Sequence, residues 1–66
     1  MMTSAKFLEI IEAFLLSSGM SAGAFGRASV GDPNFVGDLR SGRAPSLRLV
    51  EKVDLFMNPQ LVTSED

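Results

Sequence analysis

Met20-Ser21-Ala22-Gly23-Ala24-Phe25-Gly26-Arg27-Ala28-Ser29-Val30-Gly31-Asp32-Pro33-Asn34-Phe35-Val36-Gly37-Asp38-Leu39-Arg40-Ser41-Gly42-Arg43-Ala44-Pro45-Ser46 is the stretch on which the fold turns. Its clearest signal is Asp32-Pro33. Asp is a favoured N-cap, and Pro suits the first helical position, where its missing N–H costs nothing and its φ is already helical. A helix is therefore predicted over 33–41, stopped by Gly42, with Val36 and Leu39 inward and Asn34, Gly37, Asp38 and Arg40 outward. Phe35 is open between half-buried core and a side chain turned to a partner. Upstream, Ser21 offers an N-cap for a short helix over 21–29, whose one large apolar anchor is Phe25. Each of its glycines costs roughly 1 kcal/mol relative to Ala, so the small residues need a tertiary reason, which is the close approach of a neighbouring helix. Val30-Gly31 supplies the turn between the two.

Working outward, residues 4–18 place Phe7, Ile11 and Phe14 on one face with Leu8, Ile10 and Leu15 beside them, and Lys6, Glu9 and Glu12 opposite. That spacing predicts an amphipathic helix, with Ser4 as N-cap and Gly19 closing it. On the other side Arg43-Ala44-Pro45 is a connector, because Pro45 forbids helical continuation through Ala44, and Ser46 caps a helix over 47–57. Leu47, Val50, Val53 and Met57 form its apolar face, flanked by Leu49 and Phe56. Asn58-Pro59 ends it, leaving a tail over 58–66. The expectation is an all-α, compact four-helix domain in one unit spanning 1–66.

Composition narrows the function. The chain has 66 residues, 45% of them hydrophobic, enough for one core and too many for a disordered chain. It has neither Cys nor His, which removes the reactive thiol, the imidazole base and the commonest metal ligands. We expect no enzyme, catalytic residue, metal or cofactor, and no small-molecule ligand is evident. The first residues, Met1 to Lys6, lead into no apolar signal region, and the apolar runs are shorter than a membrane span, so a cytoplasmic protein without membrane attachment is expected. The net charge is −2, which weighs against a polyanionic partner, but its distribution is uneven. Residues 20–48 carry a local +2 from Arg27, Arg40, Arg43 and Arg48 against Asp32 and Asp38, while the flanks carry −4.

The run from Phe25 to Gly42, followed by Arg43-Ala44-Pro45-Ser46-Leu47, resembles the central motif of lambda-repressor-like helix-turn-helix domains of the Cro and Xre type. Phe25-Gly26 stands where that family has Leu-Ala, Val36 and Leu39 take its two core positions, and Gly42, Pro45, Ser46 and Leu47 match its closing segment without a gap. The sequence departs from the pattern at Ala22, where the family often has Gln, and at Val30, where it has the turn Gly.

The resemblance implies a lambda-repressor-like fold and a transcriptional regulator, a repressor by expectation, that lays helix 33–41 in the major groove of double-stranded DNA. Pro33, Asn34, Gly37, Asp38, Arg40 and Arg43 are then the candidates for base contacts. An Asn amide can pair with both N7 and N6–H of adenine, and a guanidinium with guanine. Ser21, Arg27, Ser46 and Arg48 are the candidates for phosphate contacts. One reading helix covers few base pairs, so a homodimer on a palindromic operator is expected, its half-sites about one DNA turn apart. Leu16, Leu55, Leu61 and Val62 are the apolar residues left over for that interface. The alternative is a protein-interaction module, antitoxin-like or an anti-repressor partner, that keeps the fold without binding DNA.

Overall fold

The computed structural model describes residues 3–58. Its helices begin where a hydroxyl can accept from an otherwise orphaned backbone N–H. Thr3, extended at φ −99° and ψ 168°, accepts from Lys6 N at 3.1 Å and opens α1 (Ser4–Ser18). The cap is thus Thr3 rather than Ser4, which is the first helical residue. Ser21 accepts from Ala24 N at 3.1 Å and opens α2 (Ala22–Val30). Ser46 accepts from Leu49 N at 3.3 Å and opens α4 (Leu47–Met57). Between them α3 spans Phe35–Arg40, two residues later than the proline suggests. The Asp32 carboxylate does accept from the Asn34 N–H, at 2.9 Å, but Phe35 N donates three residues back to the Asp32 carbonyl, at 3.1 Å. Pro33 and Asn34 are consequently a tight turn leading into the helix. The first four-residue hydrogen bond of α3 runs from Asp38 N to Asn34 O, 2.9 Å.

Helix ends follow the glycines. Gly19 and Gly31 both take φ 77°, closing α1 and α2 with bonds back to the carbonyls of Leu15 and Arg27. Gly42, at φ 105°, closes the segment after α3. Its N–H meets the Leu39 carbonyl at 3.1 Å and the Arg43 N–H meets the Asp38 carbonyl at 3.0 Å, the paired bonds of a Schellman motif.

Among the described residues four helices and an apolar core make a small all-α domain. Phe7, Ile11 and Leu15 of α1, Phe25 of α2, Phe35, Val36 and Leu39 of α3 and Val53 of α4 form the buried interior, with no buried polar side chain among the described residues. Phe35 belongs to that core. The chain turns through 111° between α1 and α2, and the rings of Phe14, Phe25 and Phe56 tie α1, α2 and α4 together with centroids 5.5–6.1 Å apart in tilted and edge-on pairs. Such pairs contribute about 0.5–1.5 kcal/mol each beyond their burial.

Two apolar positions depart from the periodicity. Leu47, expected on the inner face of α4, is 74% exposed; it lies roughly 120° around the helix from Val53, six residues on. Ile10 also reaches solvent. The expected close approach is real and centres on Gly26. A Cβ there would collide with the Asp32 carbonyl oxygen and stand 3.2 Å from Phe35 Cβ. Gly26 thereby seats α2 directly on the entry to α3, and α2 packs principally against α3. No single helix among the described residues is long and apolar enough to cross a membrane.

Candidate nucleic-acid interface

A helix that buries Phe35, Val36 and Leu39 must turn the opposite stripe outward, and in α3 that stripe is Gly37, Asp38 and Ser41, preceded by Asn34. Asn34 is exposed, and its side chain makes no capping hydrogen bond, while its own N–H donates to the Asp32 carboxylate. Gly37 faces open space, with nothing within 4 Å of where a Cβ would stand. Pro33 is exposed at the entry turn. These three, with half-buried Asp38, occupy one end and one face of the helix.

Arg43 follows in the connector, its guanidinium 3.5 Å from the Asp38 carboxylate and its side chain 73% exposed. An exposed pair of this length holds weakly, at about 0–1 kcal/mol, so Arg43 can exchange Asp38 for another anion. The same contact neutralises Asp38, which would otherwise repel phosphate.

Arg40 behaves differently. It turns away from Asn34 and reaches α1, where Nε donates to Glu12 Oε2 at 2.7 Å and Nη2 to Glu12 Oε1 at 2.8 Å. The fork holds the Glu12 carboxyl below its ordinary range, chiefly through the hydrogen bond from Arg40, and raises Arg40 in turn. The structure thus separates Arg40 from the other sequence-predicted base contacts. Its place on the flank of α3 follows from lying about 120° around from Asn34, six residues on.

The candidate backbone contacts lie at helix starts or on exposed faces. Ser21 and Ser46 are both exposed caps, each accepting a backbone N–H and retaining its own hydroxyl proton for an external acceptor. Arg27 on α2 and Arg48 on α4 are exposed and make no ion pair with any described residue. Ser41 was not singled out by sequence reasoning, yet it completes the outer stripe of α3, its hydroxyl donating to the Asp38 carbonyl at 2.7 Å. Its spacing of four from Gly37 was the available signal.

Leu16 is 87% exposed and Leu55 49% exposed, whereas Leu61 and Val62 lie outside the described residues. Two open grooves, of about 260 and 310 Å³, flank the first turn of α1 and do not include Asn34 or Gly37. Among the described residues no three His, Cys, Asp or Glu side chains gather in a way that could hold a metal ion. No protein-family model, curated protein sequence or solved structure matches the chain. The site is accordingly read from its own residues.

Proposed function

We propose that the chain is a sequence-specific double-stranded DNA-binding regulator, a repressor of the lambda-repressor-like class, that places α3 in the major groove and acts as a homodimer on a palindromic operator. The observation that carries this reading is the α2–α3 unit. Gly26 lets α2 press on the Asp32 turn and Phe35, while the opposite side of α3 offers an unengaged Asn34 and the bare backbone of Gly37. A short helix braced from behind and smooth in front suits close approach to base edges. Asn34 reads adenine, Arg43 contacts a base edge or phosphate beyond the helix end, and Arg27, Arg48 and the caps Ser21 and Ser46 hold the backbone. Exposed Leu16 and Leu55 supply apolar surface for the second copy.

Selection of bound sites from a randomised duplex pool tests this directly. A defined, two-fold symmetric site should emerge, and its affinity should fall steeply with salt. Asn34→Ala should lower discrimination at one position of each half-site by about 1–3 kcal/mol; unchanged base preference would remove Asn34 from the reading.

The pairing of two of the four central arginines with carboxylates, Arg40 with Glu12 and Arg43 with Asp38, favours a second reading, a protein-interaction module on the same scaffold. A mobility shift against random duplexes at low salt separates the two, since a DNA-binding domain retains non-specific affinity there.

A further inference from the structure

We propose that Arg40 is a positioning residue, a latch that fixes the C-terminal half of α3 on α1 through Glu12, and that it does not itself contact DNA. The functional half of this inference rests on the DNA-binding reading; the latch itself does not.

α3 is short. Six residues are far below the roughly 12–15 at which an isolated helix becomes even marginal in water, so its direction must be imposed from outside. At its entry the Gly26 seat does this, holding Asp32 and Phe35 against α2. At its exit Leu39 packs non-directionally into the core, the chain leaves through Gly42, and the polar side chain that reaches another helix among the described residues is Arg40. It crosses 28 positions of sequence to Glu12 with two parallel hydrogen bonds of 2.7 and 2.8 Å.

That geometry sets it apart from the other ion pairs. Lys6–Glu9 and Arg43–Asp38 each make a single contact, at 3.3 and 3.5 Å, between residues close in sequence. A fork fixes orientation as well as distance, because the planar guanidinium and the carboxylate must lie edge to edge. The Nε edge of Arg40 is occupied by this fork, and the side chain projects toward α1, away from the Asn34–Gly37 face. A reading side chain must be held to within about 0.5 Å and 10–20° of its productive geometry. A swing of α3 about its seated entry leaves Asn34 near the pivot but would carry Gly37 and the Arg43 connector by more than that, and the Arg40–Glu12 fork opposes it.

The test uses the full chain with Glu12→Gln, Arg40→Lys, the single changes Glu12→Arg and Arg40→Glu, and these two exchanged together, all assayed where circular dichroism shows them folded. The DNA probes are the duplex enriched from the random pool and the same duplex with the base pair nearest Arg43 replaced. With a latch, Glu12→Gln and Arg40→Lys each reduce discrimination between the two duplexes about five-fold or more, because an amide offers the guanidinium one acceptor instead of two and an ammonium cannot fork. The exchanged pair melts about 3–5 °C above the value expected from adding its two single changes, recovers discrimination, and keeps the salt slope of the original protein.

Two results would overturn the proposal. In one, Glu12→Gln tightens binding while the exchanged pair loses affinity with a salt slope shallower by about one; Arg40 then holds a phosphate. In the other, the exchanged pair melts where additivity places it, and there is no latch. If the original protein shifts no duplex at all, the DNA-binding reading fails, and the melting comparison still decides whether Arg40 latches α3.

Discussion

Gly26 and Gly37 are eleven residues apart and make opposite demands. At Gly26 a methyl group would strike the Asp32 carbonyl, and backbone cannot yield as a flexible side chain does. Gly26→Ala should therefore destabilise the domain by about 1–3 kcal/mol, measured by urea unfolding. Gly37→Ala meets nothing and replaces the poorest ordinary helix former with the best, so the same measurement should show a gain of about 0.5–1 kcal/mol. Asp32→Ala removes the carboxylate that accepts from Asn34 N and should cost about 1 kcal/mol. Much of this was legible in the sequence. The small residues of Met20–Ala28 called for a close neighbour, and Asp32-Pro33 marked the entry to α3. Which glycine takes the contact was not legible, because that depends on the rotation of α2 about its axis, set by Phe25 packing into the core.

Among the elements, the sequence is most informative where one helix settles its own boundaries and least where two helices share a decision. The capping serines at 21 and 46 and the closing glycines at 19 and 42 act within a few residues, and α2 and α4 begin where those signals put them. Leu47 shows the converse. Its spacing from Val50 suits an inner face, but α4 rolls on the core about Val53 and leaves Leu47 outside. The Arg40–Glu12 fork was equally hidden, since nothing local pairs a residue of α1 with one of α3. At this scale the cluster of Phe14, Phe25 and Phe56 joins α1, α2 and α4. Phe25, fully buried at its centre, should cost about 3–5 kcal/mol on replacement by Ala. In so small a domain that is a large part of the whole stability, and Phe25→Ala should lose its cooperative thermal transition by circular dichroism.

For the whole molecule, pH is an independent handle on the same packing. The Glu12 carboxyl is held below its ordinary range by Arg40, so the folded state binds that proton less readily than the unfolded chain. The stabilisation from this pair is complete above the ordinary carboxylate pKa and disappears as pH falls through the lowered folded value. Urea midpoints measured from neutral pH downward should fall less steeply in Glu12→Gln than in the original protein across that acid range. Assembly is a second whole-molecule property. Leu55→Glu should leave the monomer's melting temperature within a few degrees while weakening binding to a two-half-site duplex much more than to a single half-site, as expected if Leu55 lies between copies.

The three interlocked phenylalanines also decide how this protein can be watched. With neither Trp nor Tyr in the chain, ordinary intrinsic fluorescence is almost silent, and the near-ultraviolet signal of tertiary structure is confined to weak phenylalanine bands. Yet rings packed edge to face generate strong local magnetic anisotropy, and any core methyl group held over a ring face resonates upfield of the random-coil envelope. A one-dimensional proton spectrum should therefore show resolved methyl lines below the usual aliphatic edge that vanish together on unfolding, giving a label-free monitor of every variant named above.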